Sequence, residues 1–114
     1  MISIKDIIIL NRQFDKGKLV NKSALEFAIS SLKYTKDPIT QAAYLIRAIL
    51  VDHVFEEGNK RTAAAILATF LENIKKAYDI YKLDKLISDI AKRNINDIKK
   101  IRERIKDVIR QEIC

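Results

Sequence analysis

Cysteine is nearly absent from this chain: the one present is the last of the 114 residues, Cys114. No disulfide can form within the chain, which fits a reducing compartment. A terminal thiol is better read as incidental than as catalytic. Histidine is as scarce, with His53 alone, so a zinc site of His and Cys ligands lacks its donors. Two glycines and one proline leave little material for hairpins. No segment sustains the period-two alternation of a half-buried strand, so the sequence argues against a sheet. No apolar run reaches membrane-spanning length. The N-terminus has no basic region leading into an apolar run and a small-residue cleavage site, so no signal peptide is expected. A cytoplasmic protein without a membrane partner is the expectation.

Hydrophobic residues make up 48% of the chain, enough for a core without disulfides or metals. Leu, Ile, Lys, Glu and Ala dominate. The sequence predicts an all-α fold in a single domain spanning residues 1–114. The net charge is +7, which suits nucleic acid, phosphorylated small molecules or acidic proteins as partners. The lysines are spread along the chain rather than clustered with aromatics, and this weakens the nucleic-acid case.

Ser3 is positioned to cap a first helix over Ile4–Phe14. Asp15-Lys16-Gly17-Lys18 reads as a turn, and Leu19-Val20-Asn21 as the one short β-prone piece. Ser23 or Asn21 caps a second helix, Ala24–Leu32. Asp37-Pro38 is a start signal, with Asp as cap and Pro at the first helical position. The helix it opens is expected to run to about Glu56 with almost no polar face, so it should be central. A second apolar helix is expected from about Lys60 to Tyr78. Its three consecutive alanines, Ala63 to Ala65, permit close helix–helix approach. A short amphipathic helix over Leu83–Ala91 follows, then a last one over Ile95–Ile113 capped by Asn94.

Between the two apolar helices lies His53-Val54-Phe55-Glu56-Glu57-Gly58-Asn59-Lys60-Arg61-Thr62. Gly58 permits positive φ and close approach of a ligand to the main chain. Asn59 is a good N-cap, and the N–H groups around Lys60 and Arg61 then face outward at the positive end of a helix. Lys60 and Arg61 add mobile charge for phosphate oxygens. Glu57 beside such a cradle is poorly placed unless a cation bridges it to the phosphates, as Mg²⁺ does. His53, four residues before Glu57 and read as one helical turn away, can take a proton from an attacking hydroxyl. Base, acid and anion cradle together describe phosphate-transfer chemistry. The bland reading has a structural histidine, a plain connector and an exposed charged pair. The string is not a P-loop, since the earlier glycine and the strand are missing.

The run from His53 to Arg61 resembles the signature HxFx(D/E)GNxR of the Fic/Doc (Fido) family. His53, Phe55, Glu57, Gly58, Asn59 and Arg61 all agree with it. The resemblance implies a compact helical Fido core of about six helices around two central apolar helices. It also implies a short β-like flap near residues 17–22. Fido proteins move part of a nucleotide, usually AMP from ATP, onto a hydroxyl side chain of a target protein. By that resemblance His53 is the general base and Phe55 anchors the loop. Glu57 holds Mg²⁺, and Gly58, Asn59 and Arg61 bind phosphates. Leu19, Val20 and Asn21 are the candidate flap that docks the target as an added strand, against the reading of an ordinary interhelical loop.

The sequence departs from the longer pattern GNxRxxR, because Ala64 stands where the second Arg belongs. Val54 and Lys60 replace the usual Pro and Gly. These features look more like the Doc branch, the death-on-curing toxins, which phosphorylate elongation factor Tu. Phosphate and AMP therefore both stand as the transferred group, with Lys60 supplying part of the missing charge. The inhibitory pattern (S/T)xxxE(G/N) is not met by Thr69-Phe70-Leu71-Glu72-Asn73, which is one residue too short. A toxic member without that helix is expected to have a separate antitoxin. Two rivals remain: a nucleotide-binding module that has lost turnover, and a small basic nucleic-acid-binding helical protein.

Overall fold

The structure, a computed structural model, describes residues 2–110. Cys114 and the end of the helix expected to reach Ile113 lie outside the described residues. The fold is all-α, with six α-helices and one 3-10 turn among the described residues. The radius of gyration, 13.1 Å, is that of a compact chain of this length.

Helix α1 spans Ile4–Arg12 and starts in a capping box. The Asp6 N–H donates to Ser3 Oγ at 3.2 Å, and the Ser3 N–H donates back to the Asp6 carboxylate at 2.8 Å. Helix α2, Lys22–Ser31, is capped by Asn21, whose side chain accepts from the Ala24 N–H. The 3-10 turn Leu32–Tyr34 follows. Helix α3, Pro38–Leu50, opens on Asp37 and Pro38 as the sequence suggested. Helices α4 (Asn59–Asn73), α5 (Ile80–Arg93) and α6 (Ile98–Val108) complete the order.

Helix α3 is the hub. It packs against α2, α4, α5 and α6, and most extensively against α4. Ala42, Ala43, Leu45, Ile46, Ala48, Ile49 and Leu50 are all buried, so nearly every face meets protein. Helix α4 is more one-sided than expected: Ala63, Ile66, Leu67 and Leu71 are buried, while Ala64 and Ala65 are half-buried. Helices α5 and α6 present apolar stripes, Leu83, Leu86, Ile87 and Ile90 on one and Ile101, Ile105 and Val108 on the other. Arg104 of α6 ties the two together, donating to Asp89 at 2.8 Å. Arg102 reaches Asp37 at 2.9 Å and so ties α6 to the start of α3.

Several boundaries differ from the sequence reading. With glycines at only two positions, the left-handed residues at or just past helix ends are of other types: His53 (φ 49°), two residues beyond the α3 cap Val51, Lys75 (φ 58°), one beyond the α4 cap Ile74, and Asn94 (φ 51°), the α5 cap itself. Helix α3 ends at Leu50 rather than near Glu56, and His53 turns the chain away. His53 and Glu57 are thus joined by a loop, not by a helical turn. Helix α4 stops at Asn73, well short of Tyr78, as Lys75 breaks it. Asn94 does not cap the last helix; it terminates α5, and Asp97 caps α6 instead. Asn59 is not the cap of α4 either, because Gly58 (φ 78°) takes that position.

Extended pairing is limited to two isolated antiparallel bridges among the described residues, Leu19 with Phe55 and Tyr78 with Ile109. The first falls within the flap expected near residues 17–22. No helix among the described residues is long and apolar enough to cross a membrane.

Candidate functional site: the turn between α3 and α4

The loop from Val51 to Gly58 is fixed at both of its edges. On one side the N–H groups of Val20 and Asn21 donate to the Val54 carbonyl at 2.8 and 3.2 Å, and the Glu56 N–H donates to Lys18 O at 3.0 Å. On the other side stands the Asn59 side chain. Its Oδ1 accepts from the Phe55 N–H at 3.1 Å, and its Nδ2 donates to the Phe55 carbonyl at 2.9 Å. The Asn59 amide thus takes the place of a third strand beside Phe55. Val54 and Phe55 are buried, at 0% and 1% exposure, so the loop is nailed to the core at its middle. Asn21 adds a further tie, donating from Nδ2 to the Asp52 carbonyl at 2.8 Å, one residue before His53.

Gly58 lies against Asn11. A Cβ at Gly58 would come within 2.9 Å of Asn11 Nδ2 and 3.2 Å of Asp15 Cβ, and its φ of +78° is one that side chains rarely adopt. Asn11 is itself fully buried. Its Nδ2 donates to the Glu57 carbonyl and to Thr62 Oγ1, both at 3.0 Å, and its Oδ1 accepts from the Gly17 N–H at 2.8 Å. Thr62 Oγ1 in turn donates to the Gly58 carbonyl at 2.8 Å.

These ties open a cleft of about 450 Å³ lined by Phe14, Asp15, Leu50, His53, Glu57, Gly58, Asn59, Lys60, Arg61 and Ala91. Its volume is within the usual range for small-ligand sites, about 300–1,000 Å³. The first hydrogen bond of α4 runs from the Thr62 N–H to the Gly58 carbonyl at 3.0 Å. The N–H groups of Asn59, Lys60 and Arg61 precede it and meet no acceptor among the described residues. They stand at the positive end of a four-turn helix, beside the cleft. The His53, Glu57, Lys60 and Arg61 side chains are exposed. Neither Lys60 nor Arg61 forms an ion pair among the described residues. A larger cavity of about 750 Å³ lies at the α5–α6 turn, lined by Arg93, Lys99, Lys100 and Arg104 among others. There Arg104 is paired with Asp89, and the Lys99 and Lys100 N–H groups are already held by Asp97. Three consecutive unpartnered N–H groups stand beside the smaller cleft together with the Lys60 and Arg61 side chains and the acid and histidine of the same turn, which makes it the candidate site.

The sequence model of the Fic/DOC family matches residues 4–71. That is more than half of the chain, and it contains α1 to α3, the whole turn and α4 as far as Leu71. The chain belongs to the Fic/DOC family. A comparison with curated proteins and one with solved structures each give no match. Fic/DOC proteins transfer nucleotide-derived groups to proteins, and in this member the signature residues His53, Glu57, Gly58, Asn59 and Arg61 all border one cleft. Phe55 does not; it points into the core.

Leu19, Val20 and Asn21 sit behind the loop rather than in the cleft. The bridge pattern directs the bonds of Lys18 and Val20 at the loop, so the N–H and C=O of Leu19 face the opposite edge, where no partner meets them among the described residues. Val20 is 55% exposed. Sequence reasoning missed Asn11, Phe14, Asp15, Thr62 and Ala91. Asn11 left one signal: it falls four residues after Ile7 and so shares the buried face of α1.

Proposed function

We propose that this Fic/DOC protein uses Mg²⁺-ATP, or another nucleoside triphosphate, to modify a hydroxyl side chain of a target protein. The observation that carries the reading is the convergence on one cleft of His53, Glu57 and the three unpartnered N–H groups of Asn59, Lys60 and Arg61. Those N–H groups and the Lys60 and Arg61 side chains hold the phosphate chain of the nucleotide. The Asn59 side chain contributes mainly by bracing the loop, since its Oδ1 and one of its two Nδ2 hydrogens are engaged with Phe55. Glu57 would hold Mg²⁺. One or two carboxylates with substrate phosphates is the donor set that ion prefers, and Asp15 lines the same cleft. When bound, the ion neutralises charge on the phosphates.

His53 stands on the rim and accepts the proton of the target hydroxyl as its oxygen attacks phosphorus. The new O–P bond forms as the phosphoanhydride bond breaks. The leaving group is ADP if the γ-phosphorus is attacked and pyrophosphate if the α-phosphorus is. Ala64 supports the first course, because the helix carries no second arginine one turn beyond Arg61. The Doc-like reading is therefore a protein kinase, with a translation factor as a candidate substrate and a separate antitoxin as a candidate partner. The outward N–H and C=O of Leu19 supply an edge on which a target strand can add.

The test is transfer of label from γ- and α-labelled ATP to candidate proteins. Label from the γ position with wild type, and none with His53→Ala, supports the kinase reading. Label from the α position identifies AMP transfer. Ala64 also favours a second reading, a nucleotide-binding module without turnover. Saturable Mg²⁺-ATP binding that depends on Arg61, with no transfer of either label, would select it.

A further inference from the structure

We infer that Asn11 is a positioning residue for this site, which holds the Glu57–Gly58 turn in the geometry that binds the phosphates. The inference rests on the reading of the cleft given above and adds to it a residue far away in sequence. A fully buried amide in a helix face otherwise made of isoleucines needs a compensating set of partners. Asn11 has three, and none belongs to its own helix: the Glu57 carbonyl, Thr62 Oγ1 and the Gly17 N–H. Its own carbonyl accepts from the Phe14 and Asp15 N–H groups at 2.9 and 2.8 Å, and both of those residues line the cleft. The Asn11 side chain thus ties together the glycine turn before Lys18, the start of α4 and the Glu57–Gly58 peptide.

The contact also explains why a glycine stands at 58. Backbone and amide approach so closely that a methyl group there would sit 2.9 Å from Nδ2. Releasing the amide lets the Glu57–Gly58 peptide rotate, and the N–H groups of Asn59, Lys60 and Arg61 rotate with it. Their value to a ligand depends on being aimed in advance.

The experiment compares wild type, Asn11→Asp, Thr62→Val and Thr62→Ser by calorimetric titration with Mg²⁺-ATP, with thermal melting of each variant as the control. Asn11→Asp keeps the shape but replaces the donor with an oxygen that faces the Glu57 carbonyl. Thr62→Val removes one partner of the amide at nearly constant volume, and Thr62→Ser restores the hydroxyl. Folded Asn11→Asp and Thr62→Val are expected to bind roughly ten- to a hundredfold more weakly, the scale on which ligand-orienting partners act, with Thr62→Ser recovering wild-type affinity. Wild-type affinity in both folded variants, with only the melting temperature lowered, overturns the inference and leaves the cleft reading intact. If Asn11→Asp does not fold, the Thr62 pair decides. Failure of every variant to fold marks Asn11 as purely structural and also overturns it. Absence of Mg²⁺-ATP binding by wild type overturns the cleft reading, and this inference with it.

Discussion

Two residues of the turn carry opposite demands. His53 sits at φ 49°, a conformation that costs a side chain roughly 1–2 kcal/mol. Nothing in the core requires a histidine there, since the ring is exposed. His53→Gly is therefore expected to leave stability unchanged or raise it by up to about 1 kcal/mol while abolishing transfer. Chemical denaturation and the labelled-ATP assay read the two effects on the same samples. Gly58 makes the opposite case. Gly58→Ala forces a Cβ against Asn11 Nδ2 at positive φ, and a loss of about 1–3 kcal/mol in the same denaturation experiment is expected. The motif string made both residues visible in the sequence. Asn11 was not legible as part of the site, because a polar residue in an apolar helix stripe says that it has partners but not which ones.

At the scale of elements, the starts of the first three helices were readable, while the caps of α4 and α6, the start of α5 and the ends of α3 and α4 were not. Ser3, Asn21 and Asp37 cap the helices that the sequence assigned to them. The ends fell wrong because His53, Lys75 and Asn94 do the work usually signalled by glycine. The Asp37 cap makes a pH prediction. Burial alone would raise the pKa of its carboxyl, but hydrogen bonds from Thr40, Arg102 and the Ile39 N–H outweigh it and hold the group below its usual range. A carboxylate with a depressed folded pKa stabilises fully above its unfolded pKa, near 4, and that contribution is lost as the pH falls through the folded value. Melting temperature should thus fall below about pH 4, and Asp37→Asn should flatten that part of the profile. Asp37→Ala at neutral pH should cost about 1–2 kcal/mol through loss of the α3 cap. Unchanged acid sensitivity in Asp37→Asn would show that other carboxylates govern it.

For the whole molecule, the relevant quantity is the net charge of +7. The all-α class and the central place of α3 followed from composition and from the absence of a polar face on Ile39–Val51. One of the two short bridges falls on Leu19, in the piece the sequence marked as β-prone, while its partner Phe55 and the Tyr78–Ile109 bridge left no periodic pattern to read. A cationic protein with a narrow cleft draws in anions from a distance and loses that advantage as salt screens it. Affinity for Mg²⁺-ATP is expected to fall several-fold between low and moderate ionic strength. A duplex nucleic acid, which needs many aligned cations, should show no comparable binding at moderate salt. Fluorescence titrations over a salt series check both.

The claim on which the account turns is that the break between α3 and α4 seats a polyphosphate on the backbone of the α4 start. Amide NMR during titration with Mg²⁺-ATP tests it most directly. The account predicts saturable shifts that are largest at the Gly58, Asn59, Lys60 and Arg61 amides and greatly weakened in Arg61→Ala. Shifts centred on the α5–α6 turn, or none that saturate, would contradict it.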